Sequence, residues 1–329
     1  MWNDDNIATT PAVNPPRGHV MQQPEGHQPV TVADPEVAEL LVGAVDLHVH
    51  PSPSPFPRRL SIAEAAWQAH EAGFRAILTK SHHHPMVTDI KATEQALGGL
   101  PIPVVSGVAL NNYVGGLNPY AAELALAGGG RMVWFPTISS GAHICVHEEE
   151  GADMRFPTNN LGLRHTTEIG ILDEDGGFLP EVLDILEVVR HHDAIVSCGH
   201  LEADQAERLI EQASSMGITR ILVNHPNFVL GADPERVRRW VGMGARIEHS
   251  ICQYDDRTTF YQWGLDVLIG FIEAAGVENT LLGSDLGQAN NPLPVDAYAR
   301  IVRGLLDAGL EDKDVRRLVA DNPADLLGI

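Results

Sequence analysis

The chain has 329 residues, of which 44% are hydrophobic, and its formal net charge is −22. This length suits one elaborated domain, and no apolar run approaches the roughly 18 residues of a membrane span. We therefore expect no membrane segment. We also expect no nucleic-acid partner, because phosphate binding needs clustered Lys and Arg and no basic block offsets the acidic charge.

Residues 1–35 differ in composition from the rest of the chain, since they are rich in Pro, Gln and Asn. They contain no apolar stretch of the kind that a secretory signal needs. We therefore expect a flexible N-terminal arm, ordered at most against a neighbouring subunit.

From residue 36 onward, apolar strand-like runs alternate with amphipathic helical stretches. The eight predicted strands cover residues 44–50, 76–80, 102–108, 132–135, 194–198, 220–223, 245–248 and 280–283. Eight βα units with continuously apolar strands indicate α/β architecture, a parallel sheet closed into a (β/α)₈ barrel over residues 36–329. An open doubly wound sheet is the alternative, but no G-x-G-x-x-G motif follows the first strand.

The alternation is interrupted after strand four. Residues from about 139 to 179 are rich in Gly, Asn, Glu and Asp, and they are too many for an ordinary βα loop. Residues 168–177 within this stretch are predicted to form a small hairpin. We expect an insertion that can fold over the site, with His143 and His147 as solvent-facing loop residues.

Strand one ends in His48-Val49-His50. Side chains at positions i and i+2 of a strand leave the same face, so the two imidazoles project together. Two converging imidazoles form half of a transition-metal site. The same pattern also fits one core histidine and one solvent-facing histidine, so the other strand ends must decide.

In a (β/α)₈ barrel, catalytic residues lie at the C-terminal ends of the strands. Candidate residues follow four further strands: Lys80, His82, His83 and His84 after strand two, His200 after strand five, His225 after strand six, and Asp285 after strand eight. This concentration of ligand-type residues predicts a metal site. Glu248 and His249, which end strand seven, are interpreted as polar packing at the rim.

This arrangement resembles the amidohydrolase superfamily of metal-dependent hydrolases. The segment Asn322-Pro323-Ala324-Asp325-Leu326-Leu327-Gly328 is also similar to the N-P-A-x-L-L-G ending frequent in that superfamily. The resemblance covers about residues 44–329. It looks closest to an uncharacterised branch with a T-K-S-H-H-H-P segment after strand two.

The resemblance implies two metal positions. His48, His50 and Asp285 would surround a buried ion, and His200 and His225 a more exposed one. Many two-metal members carry a bridging carboxylated lysine or glutamate on strand four, and this chain has neither there. A carboxylated Lys80 is the expected substitute; the alternative is an ammonium group that binds a substrate anion.

The resemblance also implies a reaction. One or two Zn²⁺ or Mn²⁺ ions would activate water to cleave an amide, lactam, lactone or related ester. Asp285 would accept the water proton, and His225 or Lys80 would polarise the carbonyl group. The alternative reaction is non-oxidative decarboxylation of an unsaturated or aromatic acid at a single metal, and a purely structural metal is a third reading.

Other expectations concern the surroundings of the site. Three cysteines, Cys145, Cys198 and Cys252, lack Cys-x-x-Cys spacing and predict reduced thiols in the cytoplasm. Barrel enzymes of this size commonly self-associate, so we expect a homo-oligomer. The candidate contacts for a small-molecule substrate are His83, His84, Asn111, Arg164 and His165.

Overall fold

A computed structural model describes residues 21–27, 29–149 and 161–329. Residues 1–20 of the predicted arm and residues 150–160 of the predicted insertion lie outside these ranges, so both segments remain predictions. The described end of the arm is attached to the domain, since His27 and the backbone N–H of Val30 each contact the Glu71 carboxylate at 2.9 Å. No helix within the described ranges has the length and apolar character needed to cross a membrane.

Strands and helices alternate along the described chain. The strands are β1 (Val45–Val49), β2 (Ala76–Thr79), β3 (Val104–Val105), β4 (Gly107–Ala109), β5 (Met132–Trp134), β6 (Ile195–Ser197), β7 (Ile221–Asn224), β8 (Ala245–Ser250) and β9 (Thr280–Gly283). The helices are α1 (Pro35–Leu41), α2 (Ile62–Glu71), α3 (Val87–Leu97), α4 (Pro119–Ala127), α5 (Gly141–Glu149), α6 (Pro180–His191), α7 (Ala203–Ser215), α8 (Pro234–Gly242), α9 (Leu265–Ala275), α10 (Pro294–Asp307), α11 (Asp312–Arg316) and α12 (Asn322–Leu327).

All strand pairs are parallel, and together they form the predicted TIM barrel. The order β1-β2-β3 continues through Ser106 into β4-β5-β6-β7-β8-β9, so that β3 and β4 occupy one strand position. The backbone joins the last strand to the first, because Asp285 N–H donates to the His48 carbonyl and His50 N–H to the Leu286 carbonyl, both at 2.7 Å. Eight strand positions therefore surround one axis.

The amino-terminal end of the barrel is closed by α12. Its residues Ala324, Leu326 and Leu327 pack into the same apolar cluster as interior side chains of β1 and β9. Arg220, which precedes β7, donates to the Leu326 carbonyl oxygen at 2.6 Å. The N-P-A-x-L-L-G segment thus closes the amino-terminal end of the barrel, and the candidate site residues lie at the opposite, carboxyl end.

Helix α8 illustrates how the outer layer forms. Asp233 caps it by accepting the Arg236 N–H at 2.8 Å, and Pro234 occupies the first turn, where no N–H is needed. Val237 and Trp240, three residues apart, are buried on one face. The polar remainder of the helix faces water.

The predicted insertion contains regular structure. Helix α5 begins directly after the loop that follows β5, and the predicted hairpin is present as a bridge between Leu172 and Phe178. Asp173 N–H donates to the Gly177 carbonyl oxygen at 2.8 Å and closes its turn.

Candidate metal centre and active-site cavity

The two histidines of β1 each use one ring nitrogen to contact an acceptor. His48 Nδ1 lies 2.6 Å from a carboxylate oxygen of Glu248, and His50 Nδ1 lies 2.9 Å from the Lys80 carbonyl oxygen. Because a carbonyl and an ionised carboxylate only accept, each Nδ1 carries a proton and donates it. The Nε2 atoms of both rings are left free to bind another group.

Asp285 brings its carboxylate to these two nitrogens. It follows β9 with φ of +55°, a region uncommon for residues other than glycine. Its Oδ1 lies 3.0 Å from His50 Nε2 and 3.3 Å from His48 Nε2. The three ligand atoms lie within 4.8 Å of one another, and within the described ranges no other group of three potential ligands does so.

These three atoms have the chemistry of a cation site. Burial lowers the pKa of His50 to about 3, so its ring is neutral and its Nε2 presents a lone pair. Burial raises the pKa of Asp285, but His48 and His50 outweigh this effect and the net pKa falls below its ordinary value. A lone pair and an ionised oxygen thus face each other, and two imidazoles with one carboxylate fit a divalent transition metal.

Glu248 and His249 do not pack at the rim, and that expectation is wrong. Both side chains are fully buried. Alternation along β8 sends Glu248 into the barrel toward His48 and His249 outward against Phe271, with ring centroids 5.6 Å apart. Sequence reasoning missed Glu248, although a carboxylate that ends an apolar strand was the available signal.

Gly283 allows Glu248 to reach His48. A Cβ added at Gly283 would lie 2.8 Å from the Glu248 carboxyl carbon and 3.0 Å from His48 Cβ, so any larger residue would displace the pair. Burial raises the pKa of Glu248, but the charge and hydrogen bond of His48 lower it further, and the net pKa lies below its ordinary value. The ionised carboxylate therefore orients His48 with Nε2 toward Asp285.

Lys80 lies at the same end of the barrel, with 2% of its surface exposed. Its Nζ is 3.1 Å from His48 Nε2 and 5.4 Å from the centre of the Trp134 ring. Burial lowers the pKa of Lys80 to about 8, while Asp285 and Glu248 act in the opposite direction. The amine is thus closer to neutrality than an exposed lysine.

A second group of side chains, the imidazole group, consists of His82, His143, His200 and His225. His143 Nδ1 lies 3.0 Å from His200 Nδ1, and the rings of His200 and His225 have centroids 4.8 Å apart. Burial, followed by the neighbouring cationic or imidazole groups, lowers the pKa of His82 and His200 well below the ordinary value. The structure therefore brings His200 and His225 together as neutral rings.

His143 is not a solvent-facing loop residue, contrary to expectation. It lies on α5 and is buried against His200. The sequence placed it in a polar insertion, and only the packing of α5 onto the barrel brings it to the site. The side chain of His147 lies outside the described part of the chain.

Backbone geometry also marks this end of the barrel. Within the described ranges only Asp193, His225 and Asp285 are non-glycine residues with positive φ. Two of these three are candidate ligands, as expected where the fold holds strained residues for function. Gly199, with φ of +59°, passes so close to the Phe135 carbonyl oxygen that a Cβ would lie 2.1 Å from it, and this turn positions His200.

A cavity of about 710 Å³ opens onto these residues, and His50, Lys80, His200, His225 and Asp285 line it. Its volume is typical of sites for small molecules. Of the predicted substrate contacts, His83, Arg164 and His165 line the cavity. Apolar walls come from Phe56, Phe228 and Phe260.

Two predicted substrate contacts are used elsewhere. The Asn111 amide donates to the His82 carbonyl and to Thr137 Oγ1, and its oxygen accepts the N–H groups of Thr137 and Ser139. Both donors and both acceptor sites are therefore occupied. His84 contacts Ser81 and Asp89 with its two ring nitrogens, and neither Asn111 nor His84 lines the cavity.

Sequence reasoning also missed Arg58, Gln253 and Gln288, which line the cavity. Arg58 and Gln288 lie in loops after strands and Gln253 in a short 3-10 helix after β8, where no periodicity identifies the direction of a side chain. The cation within the Pro-rich loop after strand one was the only available signal.

Comparison with known protein families identifies the family of this chain. A model of a family of unknown function (DUF6282) matches residues 43–248, which is more than half of the chain. The chain belongs to this family. No curated protein matches the chain.

Several solved structures with a similar fold carry the names of enzymes. An amidohydrolase from Pseudomonas aeruginosa is 12% identical, with a TM-score of 0.58 over 88% of this chain and 98% of that one. An organophosphorus hydrolase from Deinococcus radiodurans is 14% identical, with a TM-score of 0.52 over 89% and 94%. A 2,6-dihydroxybenzoate decarboxylase is 12% identical, with a TM-score of 0.51 over 88% and 100%. The chain thus has the barrel fold of amidohydrolase-superfamily structures, as the motif resemblance predicted.

Proposed function

We propose that this protein is a metal-dependent hydrolase that cleaves an amide, lactam, lactone or related ester of a small molecule. The observation that carries the proposal is the convergence of His48 Nε2, His50 Nε2 and Asp285 Oδ1 within 4.8 Å at a cavity of about 710 Å³. The fold shared with the amidohydrolase and the organophosphorus hydrolase supports it.

His48, His50 and Asp285 would hold a divalent ion, with zinc or manganese as the expected metal. When bound, such an ion supplies Lewis-acid chemistry, which acidifies water and polarises a carbonyl group. Glu248 fixes the proton of His48 on Nδ1, and the Lys80 carbonyl does the same for His50. These contacts keep both Nε2 lone pairs directed at the ion before it arrives.

Asp285 is the proposed proton acceptor. Its Oδ1 faces the two histidines, and its side chain also lines the cavity, so one carboxylate can reach both the ion and a reacting water. Its lowered pKa keeps it ionised, and its position between the ion and the cavity, rather than its basicity, supports its role as acceptor. The proton then passes to the leaving group of the substrate.

His225 and Lys80 are proposed to stabilise the negative charge that develops on the carbonyl oxygen. Both residues line the cavity, so a protonated nitrogen of either side chain that faces the cavity would donate to an oxygen of the substrate.

The alternative role of Lys80 is that of a carbamate that would join the first ion to one held by His200 and His225, and in that form it would no longer stabilise the carbonyl oxygen. Carbamate formation needs a neutral amine, and the pKa of about 8 that burial gives Lys80 favours it. We expect a carbamate resonance in ¹³C NMR after addition of labelled bicarbonate, and its loss in Lys80→Met. Absence of the resonance in the wild type would assign Lys80 to the ammonium form.

The hydrolase proposal is tested by elemental analysis and by turnover of an ester, lactone and amide panel. We expect at least one tightly held divalent ion per chain, and turnover that falls by about 10³-fold in Asp285→Asn. Asp175→Asn, in an exposed turn, is the matched control and should retain full activity. Equal turnover in the two variants would contradict the assignment.

Decarboxylation of an unsaturated or aromatic acid is the second candidate. Within the described ranges only one group of three potential ligand residues, His48, His50 and Asp285, converges on one point. This observation favours decarboxylation, because a single ion with a free Lys80 suits that reaction. One ion per chain, no carbamate, and release of CO₂ from an aromatic acid would select it over hydrolysis.

We further propose that the enzyme works as a homo-oligomer in the cytoplasm on a small molecule, without nucleic-acid partners. The net charge of −22 supports the last point. Light scattering during size-exclusion chromatography measures the oligomeric state directly, and a monomer would contradict the proposed homo-oligomer.

A further inference from the structure

Arg58 is a cation in the cavity wall that forms no ion pair with the residues that the structure describes. It lies in the loop after β1, next to Phe56, and lines the cavity together with Asp285. Within the described ranges no carboxylate forms an ion pair with it, and its Nε is buried without a hydrogen-bond partner. A buried guanidinium without a partner is costly, and it gains stability when an anion binds.

The residue beside Arg58 extends this feature. Gln288 forms an antiparallel backbone bridge with Arg58, and its amide donates to the Asp285 carbonyl oxygen at 3.1 Å. This bond fixes the side chain, while its Oε1 is buried without a partner. Arg58 and Gln288 thus place two polar side chains on the same wall of the cavity.

The charge of the wall restricts the ligand to a monoanion. The chain as a whole repels anions at −22, so an anionic ligand needs a specific cation in the cavity. Lys80 sits at His48, and Arg164 is an exposed residue of the insertion. This leaves Arg58, in the loop after β1, as the partly buried cation of the wall that can meet an anion, although Asp285 also acts on it electrostatically. One guanidinium matches one planar carboxylate through two parallel N–H···O bonds.

We propose that Arg58 binds a carboxylate of the substrate, so that the substrate is a small carboxylic acid with an apolar body. Phe56 and Phe260 provide the apolar walls for that body. The orientation of its scissile bond toward Asp285 rests on the proposed function, whereas the carboxylate site itself does not.

The experiment measures binding to the purified protein by ¹⁹F NMR titration, with 4-fluorobenzoate and its neutral counterpart 4-fluorobenzamide as probes. The wild type should prefer the carboxylate at least about tenfold, as expected for a charge-assisted pair. Arg58→Gln should reduce this preference to about twofold or less. Arg58→Lys keeps the charge but lacks the planar guanidinium, so it should show an intermediate preference. It serves as the test variant if Arg58→Gln does not fold.

Three variants separate the alternatives. Arg59→Gln removes the neighbouring, exposed cation, which donates to the Asn291 carbonyl, and should leave the preference unchanged. The proposal is overturned if the wild type has no preference, or if Arg58→Gln retains it. It is also overturned if Arg164→Gln or Asp285→Asn alone removes the preference, since the anion would then bind at the rim or at the metal.

The readout does not depend on turnover. If no ester or amide is cleaved and no ion is found, the hydrolase proposal fails while the Arg58 preference still decides the carboxylate site. Tighter binding of 4-fluorophenyl phosphate than of 4-fluorobenzoate would overturn the assignment to a monoanion.

Discussion

Two groups of histidines meet at the carboxyl end of the barrel, and they differ in their acidic partners. His48 and His50 have Asp285 between their free nitrogens and Glu248 behind one of them. The imidazole group brings rings against rings, with His143 on His200 and His200 on His225. The first group combines imidazoles with carboxylates, whereas the second consists of imidazoles alone.

This difference indicates which group binds a cation first. A divalent ion is stabilised by ionised carboxylates as well as by lone pairs, and only the first group offers both at one point. The imidazole group can add ligands, but it needs a further charge such as a carbamate on Lys80. The two groups should therefore respond differently to substitution.

The largest effect is expected on metal content. His50→Ala should reduce the first ion from one per chain to nearly none, because it removes one of three converging ligands. His143→Ala, in the imidazole group, should leave that ion in place. Elemental analysis of both purified variants measures this, and equal loss in the two would mean that the groups form one coupled centre.

A smaller effect is expected from the residue behind His48. Glu248→Gln keeps the shape but removes the charge that holds the His48 proton on Nδ1, so metal affinity should fall by about 10–100-fold. Competition with a chromophoric chelator gives the affinity. Glu202→Gln, exposed at the start of α7, serves as the control, and an unchanged affinity in Glu248→Gln would remove Glu248 from the site.

The smallest effect concerns folding stability. Gly283→Ala places a methyl group 2.8 Å from the Glu248 carboxyl carbon, and we expect a loss of about 1–3 kcal/mol in the free energy of unfolding. Gly270→Ala, within α9 and with open space around it, should be neutral or stabilising by about 0.5 kcal/mol. Urea unfolding of both variants distinguishes a local clash from a general effect of added volume.

Much of the barrel could be predicted from the sequence. Each predicted strand overlaps an observed one, and the hairpin near Leu172 was also predicted. The break between β3 and β4 was not, because Ser106 Oγ bonds to the Thr79 carbonyl across the sheet, and such a contact leaves no periodic signal. Helix α5 was not predicted, because the polar sequence around it is typical of a loop.

The candidate site likewise contains some residues that the sequence predicted and others that only the structure revealed. The sequence by itself determined that His48 and His50 share a face and that Asp285 follows a strand, because alternation and strand ends are local properties of the chain. Only the tertiary structure decided that Glu248 orients His48, that His143 joins the site and that Arg58 lines the cavity without an ion pair to any described residue. Those contacts join residues far apart in sequence, and their geometry depends on barrel closure and on loop conformations that no short-range pattern encodes.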